Sequence, residues 1–225
     1  MDFSETVKAG YNGIVDPYLA QRDGSTPDVR LLDLLIARLT PGAAVLDAGC
    51  GAGVPITRRL AESFQVTGVD FAEAQLAQAR RLVPTARFVC ADLRAPVFAD
   101  GAFDAICSYY AIIHIPREDH AALFRGFARL LKPGGLALLC VGADDLPCSQ
   151  ETYFGVPMAW SHFDAATNRR LIEAGGLQIE WAERVPDGWG PASHLFVLAR
   201  RPSRGAAAQS VPTRMRKVRT GCSAP

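Results

Sequence analysis

The stretch VLDAGCGAGVP, Val45 to Pro55, decides the fold. The apolar pair Val45-Leu46 meets Asp47, and glycine then stands at every second position: Gly49, Gly51 and Gly53. Apolar residues running into so bare a backbone read as a strand ending in a tight turn. Pro55 stands where a first-turn proline belongs, and Ile56, Leu60 and Phe64 give the following helix an inner face. Such a turn lets a ligand approach the backbone, and the helix start offers it free N–H groups. Two ligand classes are disfavoured at once. The third glycine of a dinucleotide fingerprint is replaced by Val54, and no Lys-Ser or Lys-Thr pair follows as a Walker loop requires.

Outward from this turn, short apolar runs alternate with helical patterns. Strands are expected at Ala43–Ala48, Gln65–Asp70, Arg87–Ala91, Phe103–Tyr109, Leu136–Val141, Leu177–Arg184 and His194–Arg200. Several are apolar on both faces, as in a parallel sheet covered by helices. Only the turn-rich VPDGWGPAS separates the last two, which predicts an antiparallel hairpin at the end of the sheet. Helices are expected around Leu32–Leu39, after Pro55, over Ala72–Leu82, from Pro116 to a stop at Lys132–Gly135 (KPGG), and over Asp164–Ala174 before Gly175-Gly176. The fold class is α/β, doubly wound and mostly parallel.

Two further acids close the next strands. Asp70 ends the second, 23 residues after Asp47, where a carboxylate accepts both hydroxyls of a ribose. Asp92 ends FVCADL, within reach of an exocyclic amine. The expected site therefore holds a ribose and a base, without a cluster of cations for a diphosphate.

These segments resemble the class I S-adenosylmethionine-dependent methyltransferases. The resemblance rests on VLDAGCGAG (45–53), VTGVD (66–70), FVCADL (88–93), FDAICSYYAIIH (103–114) and LLKPGGLALL (130–139), in the family's order. It implies a Rossmann-like sheet of seven strands with an antiparallel last strand, and S-adenosyl-L-methionine as cofactor, left as S-adenosyl-L-homocysteine. It further implies that Gly49 and Gly51 pass close to the methionine part, with Asp47 on the ammonium or sulfonium side. Asp70 takes the ribose hydroxyls, Phe71 lies beside the adenine, and Asp92 and Leu93 read its edge. Ser108 lies where the family's main chain contacts the methionine moiety. Tyr18, in YNGIVDPYLA, stands where a tyrosine reaches the cofactor carboxylate, with Tyr11 as a weaker candidate.

Methyl transfer from a sulfonium needs alignment and a dry pocket more than a fixed catalytic motif. An N/D-P-P-Y/F motif would mark amino acceptors in nucleic acid, and SYYAIIHIP stands in its place. Tyr109, Tyr110 and His114 surround the expected methyl position; His114 is the candidate base, with Tyr109 beside it. Residues 142–164 read as an aromatic lid on a small apolar or aromatic substrate, with Tyr153, Met158, Trp160 and His162 as contacts. Packing of the same residues as a satellite core is the alternative. The four histidines lack ligand spacing, so no metal is expected.

Composition agrees with one soluble domain over residues 1–201, capped by 1–26. Of 225 residues, 49% are hydrophobic and 21% charged, enough for a core and too few charges for a disordered chain. No run is long enough to span a bilayer, and MDFSETVKAGYNG lacks a signal-peptide pattern, which points to the cytoplasm. The six cysteines form no CxxC pair and read as reduced. Residues 202–225 hold five bases and no acid, which leaves the rest of the chain with 19 bases against 23 acids. That tail reads as disordered. The expected partner is a small molecule, not a membrane or nucleic acid, and the chain is a monomer or a homodimer. Rival readings are an RNA or protein methyltransferase docking through the tail, a nicotinamide-dependent oxidoreductase, and a cofactor-binding protein of this fold that does not methylate.

Overall fold

The computed structural model describes residues 2–22, 26–95, 98–186 and 192–203. The basic tail beyond Ser203, Cys222 within it, and residues 187–191 of the expected hairpin turn lie outside the described residues.

Seven strands form one sheet. They are β1 (Ala44–Ala48), β2 (Gln65–Asp70), β3 (Arg87–Cys90), β4 (Phe103–Ser108), β5 (Leu131–Gly142), β8 (Gln178–Pro186) and β9 (Ser193–Arg200). Their order is β3-β2-β1-β4-β5-β9-β8. The first five are mutually parallel, while β9 runs antiparallel between β5 and β8. This is the class I methyltransferase arrangement, and the terminal hairpin read from the sequence is present. Chain reversal falls between β1 and β4: the sheet grows one way through β2 and β3 and the other way through β4 and β5. Crevices at such switch points, beyond the carboxyl ends of the strands, are where open α/β sheets bind ligands.

Helices cover both faces. α4 (Ile56–Ala61), α5 (Glu73–Leu82), α6 (His120–Leu130) and α7 (Ala165–Ala174) fall near their expected places. Asp164 caps α7 by accepting the Thr167 amide at 2.8 Å. On one side Leu46, Val69, Ile106, Leu123, Phe124 and Phe127 form a core. On the other, Val45, Leu60, Ala105, Leu138 and Phe196 form a second. Strand residues alternate between the two, as period-two geometry requires.

Three expectations need correction. The Leu32–Leu39 stripe holds only a short α3 (Leu32–Ile36), which a 3-10 turn (Pro27–Leu31) leads into. A 3-10 turn over Arg117–Asp119 follows Pro116, and α6 starts only at His120. KPGG does not separate helix from strand. It lies inside β5, because Leu131 already pairs with Phe103 and the register shifts before Leu136 pairs with Ala105. The Lys132 ammonium, 2.8 Å from both Asp104 oxygens, ties this irregular stretch to β4.

The N-terminal segment and the 142–164 insert form a layer over the strand tips. The former folds as α1 (Phe3–Gly13) and α2 (Val15–Gln21), the latter as a hairpin of β6 (Leu146–Tyr153) and β7 (Val156–His162). α1 lies on β7 through a small core of Val7, Ile14, Met158 and Ala159. Gly10 is the contact point: a Cβ there would stand 2.8 Å from Met158 Cε and 2.9 Å from the Pro157 carbonyl oxygen. Met158 can move, but the carbonyl is backbone.

Gly10→Ala therefore sets helix propensity, worth about 0.5–1 kcal/mol in favour of Ala, against a steric clash. The clash is expected to win and lower the melting temperature by a few degrees. A rise in thermal denaturation would show that the interface yields.

Candidate active site

β1 ends in a turn whose amides are held by the tip of β2. Gly49 and Cys50 both donate to the Val69 carbonyl, at 2.8 and 3.0 Å. Gly51 donates to Asp70 Oδ2 at 2.9 Å. Gly49 has φ +82°, and a Cβ there would lie 2.1 Å from the Ala111 Cβ. Glycine is required at that point because the loop after β4 presses on it. Above Gly51 the space is open, the nearest atom to a hypothetical Cβ being Gln75 Oε1 at 3.7 Å.

A cleft opens over these tips. It brings together Tyr18, Gly49, Gly51, Asp70, Phe71, Asp92, Leu93, Tyr109, Tyr110 and His114, all singled out from the sequence. Ser4, Val7, Tyr11, Arg94, Ala111 and Ile115 also line it. Asp70 Oδ1 accepts the Ala72 amide at 2.9 Å. Burial pushes the Asp70 carboxyl up, and the amides of Ala72, Gly51 and Phe71 hold it back. Asp70 lines the cleft, and a carboxylate has acceptor capacity beyond these amides.

Asp92 is less free than the sequence suggested. Arg94 contacts both its oxygens, at 3.1 and 2.6 Å, and bridges to Asp119 at 3.1 Å. Burial raises the Asp92 carboxyl, but the Arg94 hydrogen bonds outweigh it and hold it below the usual range.

A smaller cleft of about 400 Å³ lies on the other side of the glycine turn. It shares Tyr18, Gly49, Gly51 and Tyr109 with the first and adds Asp47 and Arg22. Arg22 is buried, with its guanidinium 5.1 Å from the Tyr110 ring centre and 6.0 Å from that of Tyr18. It went unrecognised because a lone arginine after YLAQ carries no pattern.

Asp47, 1% exposed, accepts from Thr57 Oγ1 at 2.5 Å and from the Cys107 thiol at 3.6 Å. Burial pushes its carboxyl up to about 6, against the pull of those two donors.

The remaining sequence candidates lie elsewhere. Ser108 faces away from the cleft, its buried hydroxyl donating to the Ala48 carbonyl at 2.8 Å; Tyr109, Tyr110 and Ala111 line the cleft instead. Met158 is fully buried under α1, a packing residue and not a wall of the cleft. His162 is pinned by Nδ1 to the Asp144 carbonyl at 2.7 Å. Tyr153 and Trp160 form an outer aromatic group, Tyr153 5.7 Å from Trp160 and Trp160 5.4 Å from the His114 ring. Tyr110 holds φ +56°, a left-handed conformation that bulky residues rarely adopt and that strained site loops retain.

His114 is clamped at both nitrogens. Nδ1 lies 2.7 Å from the Ala159 carbonyl oxygen, and Nε2 lies 2.8 Å from the Tyr11 hydroxyl. Burial pushes the imidazole down to about 4, partly offset by the Ala159 carbonyl.

Residues 45–135 match the family model described as a methyltransferase domain. Over that span the chain is similar to the methyltransferase family, and its sheet has the class I methyltransferase fold. Among curated relatives it is 40% identical over 106 residues to the 2-methyl-6-phytyl-1,4-hydroquinone methyltransferase of Synechocystis sp., covering 45% of this chain and 32% of that one. It is 37% identical over 115 residues to a ubiquinone biosynthesis O-methyltransferase of Xanthomonas campestris, covering 48% and 47%. The chain thus spans a third to a half of the length of these relatives. A solved structure of similar fold, with a TM-score of 0.70 at 19% identity over 89% of each chain, is the 1,6-didemethyltoxoflavin-N1-methyltransferase of Burkholderia thailandensis with S-adenosylhomocysteine bound.

The fold implies S-adenosylmethionine as cofactor, and the residues present fit it. Asp70 offers paired acceptors, a Cβ at Gly51 would meet only Gln75 Oε1, and that buried oxygen has no hydrogen-bond partner among the described residues. Arg22 and Asp47 supply opposite charges for an amino acid's carboxylate and ammonium.

The raised Asp47 carboxyl has a definite signature. The unfolded chain sheds this proton near pH 4, the folded chain near 6. Asp47 thus favours the folded state below about pH 4, and that contribution is lost as pH rises to about 6. Asp47→Asn lacks this titration. Its stability relative to the wild type is expected to improve from pH 4 to 7, by on the order of 3 kcal/mol at most. Denaturant melts at several pH values would read this, and a pH-independent gap would contradict it.

Proposed function

We propose that this chain transfers a methyl group from S-adenosylmethionine to an oxygen or nitrogen of a small, apolar or aromatic molecule, in secondary metabolism. One observation carries the reading: a single cleft joins the acidic, glycine-floored end built by Asp70 and Gly51 to an aromatic end built by Tyr11, Tyr109, Tyr110 and His114. The name of the Xanthomonas campestris relative, a ubiquinone biosynthesis O-methyltransferase, supports the reading and favours oxygen.

Bound cofactor would supply an electrophilic methyl on a sulfonium. Asp70 would accept from the ribose hydroxyls, with Phe71 and Leu93 against the adenine and Asp92 at its edge. Arg22 and Tyr18 would meet the carboxylate end, and Asp47 the ammonium. The layer of α1, α2 and the β6–β7 hairpin would exclude water from the acceptor, with Trp160 and Tyr153 closing its outer side. That exclusion matters because water competes with the acceptor and screens the charges that align it.

Calorimetric titration of the full chain with S-adenosylhomocysteine tests the cofactor half. The wild type is expected to bind, and Asp70→Ala to bind roughly tenfold or more weakly, as loss of hydrogen bonds to a charged group implies. A wild-type sample with native far-UV circular dichroism and no binding would sink the reading.

A further inference from the structure

Both ring nitrogens of His114 are spoken for, and this decides where a proton can go. The Ala159 carbonyl accepts only, so Nδ1 must carry the hydrogen. The ring is neutral at neutral pH, because its burial disfavours the imidazolium. Nε2 is therefore bare, and the Tyr11 hydroxyl is the donor in the 2.8 Å contact. No ring nitrogen is left for an acceptor molecule. The Tyr11 oxygen, having given its hydrogen to Nε2, retains lone pairs to accept from a second hydroxyl. Both residues line the cleft, beside Tyr109, Tyr110 and Ile115.

The geometry points to Tyr11 as the group that takes the acceptor's proton, with His114 as the positioning residue behind it that receives Tyr11's own. The inference rests on the methyl-transfer reading above and narrows its acceptor to an acidic O–H, a phenol or an enol. The acceptor's proton moves to the Tyr11 oxygen as Tyr11's proton moves to Nε2. The acceptor oxygen's electron pair forms the O–CH3 bond, and the pair of the broken C–S bond stays on sulfur. The site holds one positive charge throughout, first at sulfur and then on the imidazole. Tyr11 gives up its own proton as it gains one, so the relay suits an acidic hydroxyl: an aliphatic alcohol is far too weak an acid, and a neutral amine attacks without losing a proton first.

The surroundings support a relay held at rest in its neutral form. Burial drives the Tyr11 hydroxyl well above its ordinary pKa, and Tyr18, Tyr153 and Asp70 add to this while Arg22 opposes it. On the His114 side the facing titratable groups are His194 and His162, both of which disfavour the imidazolium. Tyr11 is held in place independently of its hydroxyl. Its carbonyl accepts from Gln75 Nε2 at 3.0 Å, and Asn12 Oδ1 accepts the Ala74 amide at 2.9 Å. Removing the hydroxyl should leave α1 seated.

The test pairs a spectroscopic readout with a substituted-phenol series. In 15N-histidine NMR of the full chain with S-adenosylhomocysteine, the His114 signal is assigned by its loss in His114→Asn. The expected form at pH 7 is protonated Nδ1 and bare Nε2, with the Nε2 shift and the titration midpoint both moving in Tyr11→Phe. A protonated Nε2, or a midpoint unmoved by Tyr11→Phe, overturns the pairing. In methylation assays, Tyr11→Phe is expected to lower kcat for 4-methylphenol roughly a hundredfold and His114→Asn roughly tenfold or more. Both should keep wild-type affinity for S-adenosylhomocysteine. Pentafluorophenol, already ionised at neutral pH, should be methylated by both variants within about threefold of the wild type, since its proton is already gone. Equal losses on both phenols would reduce the pair to a structural latch. A wild type that binds the cofactor yet methylates no phenol overturns the acceptor class, whereas a wild type that binds no cofactor defeats the earlier reading instead.

Discussion

Everything at the site depends on how the tips of β1 and β2 are joined. Three successive amides after β1 point at the end of β2, two to the Val69 carbonyl and the third to the Asp70 carboxylate. A turn this tight would otherwise strand its N–H groups in a half-buried place, at a cost of about 1–3 kcal/mol for each. The same carboxylate receives the first amide of the run into α5, through Ala72. Asp70 is thus a structural brace whose spare lone pairs remain available to a ligand. Gly49 completes the junction from the other side, by letting Ala111 and the loop after β4 come into contact with the turn.

That junction was legible in the sequence because it uses residues with few alternatives: glycine at positive φ, an acid closing an apolar run, and proline at a helix start. The sheet was legible for a related reason. Its central strands are largely buried, so β1 and β4 appear as mostly apolar runs, and the ends of β1, β2 and β4 were set to within a residue. The capping layer left no such trace. α1 and α2 are short, and much of their apolar surface faces a hairpin about 140 residues away, which local periodicity does not report. The β6–β7 hairpin turns at Phe154-Gly155 between strands whose exposed residues break the alternation. KPGG misled for the opposite reason, since its turn chemistry serves a register shift inside a strand.

The site residues divide along the same line. Those on the sheet tips were read from residue spacing and from the family resemblance. Arg22 and Tyr11 were missed or underrated because each meets a partner distant in sequence, and Arg94 because an arginine two residues past an acid carries no pattern. For Tyr11 that partner is His114, 103 residues on. Met158 and Trp160 show why an aromatic or sulfur-rich segment needs coordinates before it is assigned to substrate. They sit two apart on one strand, yet one is sealed beneath a helix while the other stacks near an imidazole.

The division of labour between sheet and capping layer bears on how such a protein diversifies. The hairpin belongs to a separate two-stranded ladder and shares no strand with the seven-stranded sheet. Its grip on α1 is largely side-chain packing around Met158 and Ala159. Replacements in that packing can reshape the mouth while the brace at Asp70 stays intact. A lineage built this way is free to trade one small molecule for another by drift in its roof, with selection on the foundation unchanged.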